Sequence, residues 1–108
     1  MSVYRFKSRE TGDLVMLQPH GKRLLEIIGK DPGPQGIVLP QQMPAAVQAL
    51  RDAVVKEEAD QKRQREEAQA NGEPPPEFDH VSLRMRTTPF IEMMQRCEQA
   101  GVEIVWGV

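Results

Sequence analysis

The feature that most constrains the fold is a stretch in the middle of the chain, residues 56–77, that contains no large apolar side chain. Its only apolar residues are three alanines, and residues 71–76 read Asn-Gly-Glu-Pro-Pro-Pro, a sequence typical of turns and linkers. Such a segment cannot bury enough surface to offset the conformational entropy lost on ordering. We therefore expect residues 1–108 to form a single domain with its core in the two flanking segments. Residues 56–77 should form a charged, solvated helix extension or a flexible insert.

The charge of the chain is concentrated in the same stretch. Residues 56–73 hold four basic and six acidic side chains, which accounts for the whole formal net charge of −2 and leaves the rest of the chain neutral. Proteins that bind nucleic acid normally carry a basic surplus, because neutralisation of phosphates supplies much of their affinity. The charge pattern therefore speaks against nucleic-acid binding, and the alternative that it leaves open is a local basic face of Arg84 and Arg86 with Lys22 and Arg23.

Cysteine content and hydropathy indicate the cellular compartment of the protein. Cys97 is the only cysteine, so the chain has no internal disulfide. The sequence shows no leading signal segment and no apolar run approaching the ~20 residues that span a bilayer. We expect a soluble, cytoplasmic protein without membrane association.

Four short segments have the pattern of β-strands. Residues 3–7 alternate, with Tyr4 and Phe6 on one face, and the apolar run 14–17 follows the turn-forming residues 11–13, which together predict a β-hairpin. Residues 37–39 and 102–106 predict two further strands.

Two helices are indicated by apolar residues at helical spacing. The first begins near Pro19 and ends at Gly29, because proline suits the first turn of a helix and glycine its C-terminal end. The second begins near Pro44, and its apolar face is Met43, Val47, Leu50 and Val54.

The segment after residue 80 fits two structures. Val81, Leu83 and Met85 alternate with polar residues as in a strand, which a helix starting at Thr88-Pro89 would then follow. The alternative is one helix from about Ser82, with Leu83, Thr87, Phe90, Met94 and Cys97 on one face. That helix would contain Pro89 at a cost of ~3 kcal/mol, so we favour the strand. Either choice gives an α+β fold: a small, mostly antiparallel sheet (hairpin plus short strands) with two or three helices packed on one face.

Three parts of the chain together resemble a known family. They are residues 17–30, the Gly36-Ile37 and 42–46 segments, and residues 81–84 with Arg86 and 89–93, followed by the terminal Trp106-Gly107-Val108. The combination resembles the small bacterial proteins grouped as domain of unknown function 1840. The resemblance covers nearly the whole chain except residues 56–77, and it implies a bacterial, stand-alone domain without an assigned activity. Met85 stands where the family has glutamine, which favours a buried strand position.

One group of residues is a candidate ligand site. His20-Gly21-Lys22 lies between a predicted strand and a predicted helix, where free backbone N–H groups and the helix dipole favour an anion. Arg84 and Arg86 would point the same way from a strand and could grip a carboxylate or phosphate, or pair with nearby glutamates. The same segment does not match a phosphate-binding loop, because residue 16 is Met and residue 23 is Arg. A plain, solvated helix start is the competing interpretation.

The sequence shows no catalytic or metal-binding arrangement. Cys97 lies on the apolar face of a predicted helix, as a core cysteine does. His20, His80 and Cys97 have no spacing typical of metal ligands, so we predict no metal and no cofactor.

Trp106, the only tryptophan, either closes the core or anchors a partner, since tryptophan is enriched at interfaces. The leading functional hypothesis is a non-enzymatic interaction or accessory domain that contacts itself or another protein. Self-association would use a sheet edge or the Trp106 end. The alternative is an anion- or small-molecule-binding module, possibly an enzyme, built on His20, Gly21, Lys22, Arg84 and Arg86.

Overall fold

The computed structural model describes residues 2–108, which form a four-stranded sheet covered on one face by three helices. The strands are β1 (Val3–Lys7), β2 (Leu14–Leu17), β3 (Gly36–Val38) and β4 (Ile104–Trp106). The helices are α1 (Gln18–Ile27), α2 (Met43–Ala70) and α3 (Leu83–Ala100), with a short 3-10 turn at Pro40–Gln42. The predicted α+β class, with an antiparallel sheet and helices on one face, is confirmed.

The sheet has the strand order β2-β1-β4-β3, and every neighbouring pair is antiparallel. The register places Tyr4 opposite Met16 and Phe6 opposite Trp106. β1 and β4 are therefore the central strands, whereas β2 and β3 are the two edges.

Aromatic side chains form the centre of the core, beneath the two middle strands. The ring of Phe6 stacks on Phe90 of α3 at a centroid distance of 4.6 Å and meets Trp106 edge-on at 5.9 Å. Trp106 is 2% exposed, and its Nε1–H donates to the carbonyl of Gly33 at 3.1 Å. The Tyr4 hydroxyl donates to the carbonyl of Pro32 at 2.6 Å, so two core side chains fix the loop that precedes β3.

The prediction of a strand at 81–87 is wrong, because α3 begins at Leu83 and contains Pro89. The alternative helix face is the one that the structure buries: Leu83, Thr87, Phe90, Met94 and Cys97 are each no more than 2% exposed. Met85 is 60% exposed, so it does not occupy a buried strand position. The missing N–H of Pro89 leaves the Met85 carbonyl without its helical donor, and on this exposed side of the helix water can supply one.

α2 continues far beyond the core. Its buried residues end at Val54, yet the helix runs on to Ala70 as a polar rod. The radius of gyration is 16.0 Å, against about 13 Å for a compact chain of this length. The part of residues 56–77 that precedes Asn71 is thus helical.

Candidate functional site

The face of the sheet opposite the helices is apolar and cationic. It carries Val3, Arg5 and Lys7 of β1, Val15 and Leu17 of β2, Ile37 of β3 and Val105 of β4, and we call this set the open face. Val3, Val15, Leu17 and Ile37 are each between 41% and 48% exposed. A sheet face that is left to solvent is normally polar. Exposed apolar patches of this kind mark interaction sites.

Charged residues divide the open face into two apolar groups. Val3 and Leu17 are cross-strand partners beside Val15, whereas Val105 and Ile37 pair at the other side of the sheet. Between the groups lie Arg5, whose guanidinium is 3.5 Å from the Asp13 carboxylate, and Lys7. Lys7 forms no salt bridge within residues 2–108, so its ammonium is available to a partner.

A cleft lies at the end of the open face where β1 begins. Its volume is about 680 Å³, and it is lined mainly by β1, the segment from Pro32 to Pro34 and residues 106–108. Arg5 and Lys7 both line it. Because the Tyr4 and Trp106 hydrogen bonds fix the Pro32–Pro34 segment, the cleft is pre-formed on its far side.

A second cluster of charged residues joins the three helices. One carboxylate oxygen of Glu57 accepts the Leu83 backbone N–H at the start of α3, at 3.1 Å. The other accepts from the Arg23 guanidinium of α1 at 3.2 Å. The Glu57 side chain is 22% exposed, and it satisfies a donor that the first turn of α3 would otherwise leave free.

The structure places the three predicted ligand residues of α1 in different surroundings. Gly21 is buried, and a Cβ there would overlap the Tyr4 ring, so glycine is needed for packing against β1. Lys22 is exposed to solvent. His20 alone of the three lines a cavity, of about 320 Å³, between α1 and the start of α3.

The two arginines of α3 are also separated. Arg84 makes a bidentate pair with Glu58 of α2, at 2.8 Å from Nε and 2.9 Å from the terminal nitrogen. These hydrogen bonds, together with the charge of Arg84, lower the pKa of Glu58 below its ordinary value, and Glu58 raises the pKa of Arg84. Arg86 instead lines the cavity that contains His20. That cavity also contains Arg23, paired with Glu57, and two further carboxylates, Glu77 and Asp79.

The two remaining candidates, Trp106 and Cys97, both lie in the core. Trp106 is buried, as core closure requires. The thiol of Cys97 is buried and lies 3.1 Å from the Ser8 hydroxyl. Within the described chain, no three His, Cys, Asp or Glu side chains come together as metal ligands would. None of the helices in that part of the chain is long and apolar enough to span a bilayer.

Sequence reasoning missed the open face and the role of Glu57. Placing Tyr4 and Phe6 on one face of the strand also placed Val3 on the other. An unbroken apolar run such as 14–17 must expose half its residues on a sheet covered on one side. The strand patterns therefore already indicated an exposed apolar face. The contact between Glu57 and Leu83 joins residues 26 positions apart, and no local pattern reveals it.

The fold and its surface define a small α+β protein with an open-faced antiparallel sheet. The chain belongs to the family described as Domain of unknown function (DUF1840), which it matches over residues 2–106. No curated protein and no solved structure matched the chain.

Proposed function

We propose that this protein is a non-enzymatic interaction domain whose open face binds a protein partner. The observation that carries the proposal is the exposure of four aliphatic side chains, Val3, Val15, Leu17 and Ile37, on a sheet face that no helix covers. Keeping such side chains in water is unfavourable by roughly 25 cal/mol per Å² of apolar surface, which binding would recover.

The charges of the open face select the kind of partner. Asp13 is paired with Arg5, and Glu103 with Arg9 at 3.4 Å, whereas Lys7 is free of any carboxylate within residues 2–108. The surface therefore suits a partner that presents aliphatic side chains together with at least one carboxylate. A carboxylate entering the cleft beside Arg5 and Lys7 would meet both cations.

The test is copurification of the tagged protein from its native cell, followed by direct binding with the purified partner. We expect the double variant Val3→Lys, Ile37→Lys to lose the partner. The control Met85→Lys places one such charge on a residue that is 60% exposed on α3, and it should retain the partner. The proposal is overturned if no protein is retained, or if every retained protein survives the double variant.

A direct-binding series adds a second criterion. Lys7→Gln should weaken binding and reduce its dependence on salt concentration, because exposed charge pairs are screened by ions. A complex whose affinity does not change with Lys7→Gln would contradict the assignment of an acidic partner.

Anion binding is the second candidate, and the shared cavity of His20 and Arg86 supports it. Against it stand the carboxylates of Glu57, Glu77 and Asp79, which leave the cavity without a cationic surplus. A thermal-shift screen with inorganic phosphate and nucleotides tests this idea. An increase in melting temperature that Arg86→Gln abolishes and Lys22→Gln preserves would support anion binding in this cavity. No increase with any ligand would rule out the anion proposal.

A further inference from the structure

The outer strand β2 is four residues long and lacks the charged residues and prolines that commonly protect a sheet edge. Its sequence, Leu14–Leu17, contains no charge and no proline, whereas charged residues, prolines and bulges normally block edge pairing. The opposite edge, β3, is only three residues long and lies between Pro34 and Pro40. The two edges therefore differ, and β2 is the one that can accept another strand.

The backbone of β2 shows which of its residues offer free hydrogen-bonding groups. The Gln18 N–H donates to the Ser2 carbonyl at 3.1 Å, which continues the register in which Val3 lies opposite Leu17. Opposed residues of an antiparallel pair alternate between hydrogen-bonded and non-hydrogen-bonded positions. Val15 and Leu17 are thus non-hydrogen-bonded positions toward β1, and their N–H groups point to the free edge.

We propose that two copies of this chain associate by antiparallel pairing of their β2 strands, around a twofold axis at Val15. Each Val15 N–H then donates to the Val15 carbonyl of the second copy. Each Leu17 N–H donates to the Asp13 carbonyl across the axis. The two four-stranded sheets become one continuous sheet. The interface between the copies is isologous, as twofold symmetry requires.

The side chains of β2 suit this register on both faces. On the helix-covered face, Leu14 comes opposite Met16, and both are only half-buried in the single chain. On the open face, Val15 meets Val15, and Asp13 meets Leu17 rather than another charge. Directly opposed like charges, which would oppose pairing, are therefore absent from this edge.

The two Arg5 guanidinium groups of the open face are too far apart in such a dimer to prevent it. In each copy Arg5 lies on β1, directly opposite Val15 of β2. The two Arg5 residues are therefore separated by three strand spacings, about 14 Å. That distance exceeds the Debye length of about 8 Å at physiological salt. The association also joins the Val3, Val15 and Leu17 groups of the two copies into one apolar surface, which enlarges the open face without covering it.

Sedimentation equilibrium from roughly 1 μM to 1 mM tests the proposal, because a short edge interface should dissociate within this range. We expect a monomer–dimer equilibrium for the natural chain. Val15→Pro removes the outward N–H without removing a bond to β1, and Val15→Lys opposes two ammonium groups across the axis without changing the backbone. Each should weaken the dimer at least tenfold.

The control is Ile37→Lys, which places the same charge on the open face at the other edge. It should dimerise as the natural chain does, and amide exchange measured by NMR should show Val15 and Leu17 becoming protected as the dimer forms. A monomer at every concentration, a dimer that survives Val15→Lys, or a dimer that Ile37→Lys abolishes would each overturn the proposal. A monomer that still retains its partner in the copurification experiment would leave the proposed function standing, so the two failures are distinguishable.

Discussion

The Glu57 side chain of α2 connects that helix to both α1 and α3. Its carboxylate accepts from the Leu83 N–H of α3 and from Arg23 of α1. We expect Glu57→Gln to lower the free energy of unfolding by about 1–2 kcal/mol, because hydrogen bonds to a charged acceptor are worth more than neutral ones. Urea unfolding measures the change. Glu58→Gln, at the neighbouring position, is the control and should have the smaller effect, since its pair is exposed.

Glu58 gives the structure a dependence on pH that can be assigned to one pair. Its pKa is lowered in the folded state by the hydrogen bonds from Arg84. Because the pKa of Glu58 is lower in the folded state, the pair stabilises the protein at pH values above the pKa that Glu58 has in the unfolded chain. This stabilisation is lost as the pH falls through the folded-state pKa. We expect the stability difference between the natural chain and Glu58→Gln to be present at neutral pH and to vanish in acid.

NMR titration of the Glu58 carboxyl checks the pKa directly, and Arg84→Gln should return it toward its ordinary value. A Glu58 pKa that does not change in Arg84→Gln would show that the pair does not persist in solution.

Gly21 separates the packing interpretation of the α1 start from the anion interpretation. A Cβ at this position would lie 2.8 Å from Cγ and 2.9 Å from Cβ of Tyr4, whose ring is held by the core and by its bond to Pro32. Alanine is the better helix former by roughly 1 kcal/mol, but overpacking costs about 1–3 kcal/mol. We expect Gly21→Ala to destabilise the fold, and Gly12→Ala, which meets no atom within 4 Å, to leave it unchanged. Thermal unfolding of both variants measures this, and equal stabilities would contradict it.

At the scale of elements, α3 is where local propensity and tertiary packing conflict most clearly. Ser82 begins it, with its hydroxyl accepting the Met85 N–H at 3.1 Å, and Gly101 ends it with φ of 68°. Pro89 within the helix lacks a donor and interferes with the preceding turn. The burial of a whole helix face against α2 and the sheet outweighs that cost.

Two substitutions with opposite signs test this account of α3. Pro89→Ala restores the missing N–H at an exposed position and should raise the free energy of unfolding by about 1–3 kcal/mol. Ser82→Ala removes the N-terminal cap and should lower it by about 1 kcal/mol. Urea unfolding measures both changes. If Pro89→Ala destabilises the protein, the proline is required by the fold rather than tolerated.

The same conflict limits what sequence alone could predict. The hairpin, the first two helices and the last strand follow from patterns within a few residues, and the structure has all of them. The start of α3 depends on contacts with Glu57 and Glu58, about 26 residues away in the chain. A sequence rule that assigns a fixed free-energy penalty to proline inside a helix does not take such contacts into account. The open face was likewise implicit in the strand pattern, but only knowledge of which face the helices cover reveals it.

At the scale of the whole molecule, α2 makes the protein longer than its core requires. The principal extents are 52 × 31 × 22 Å. Residues 61–76 contribute no buried side chain, and their ion pairs, such as Arg63 with Glu67, are exposed. Exposed pairs of this kind contribute about 0.3–0.5 kcal/mol each. Most of the rod therefore contributes shape and charge rather than stability.

Replacing residues 61–76 with about eight Gly/Ser residues tests this division, since a linker of that length reaches about 16 Å. We expect the melting temperature to stay within a few degrees of the natural value, because Glu57 and Glu58 remain. The radius of gyration measured by X-ray scattering should fall below that measured for the natural chain. The matched replacement that begins at residue 57 removes both glutamates and should lower the melting temperature further. Equal losses in the two variants would show that the rod itself, and not the pair of glutamates at its base, stabilises the start of α3.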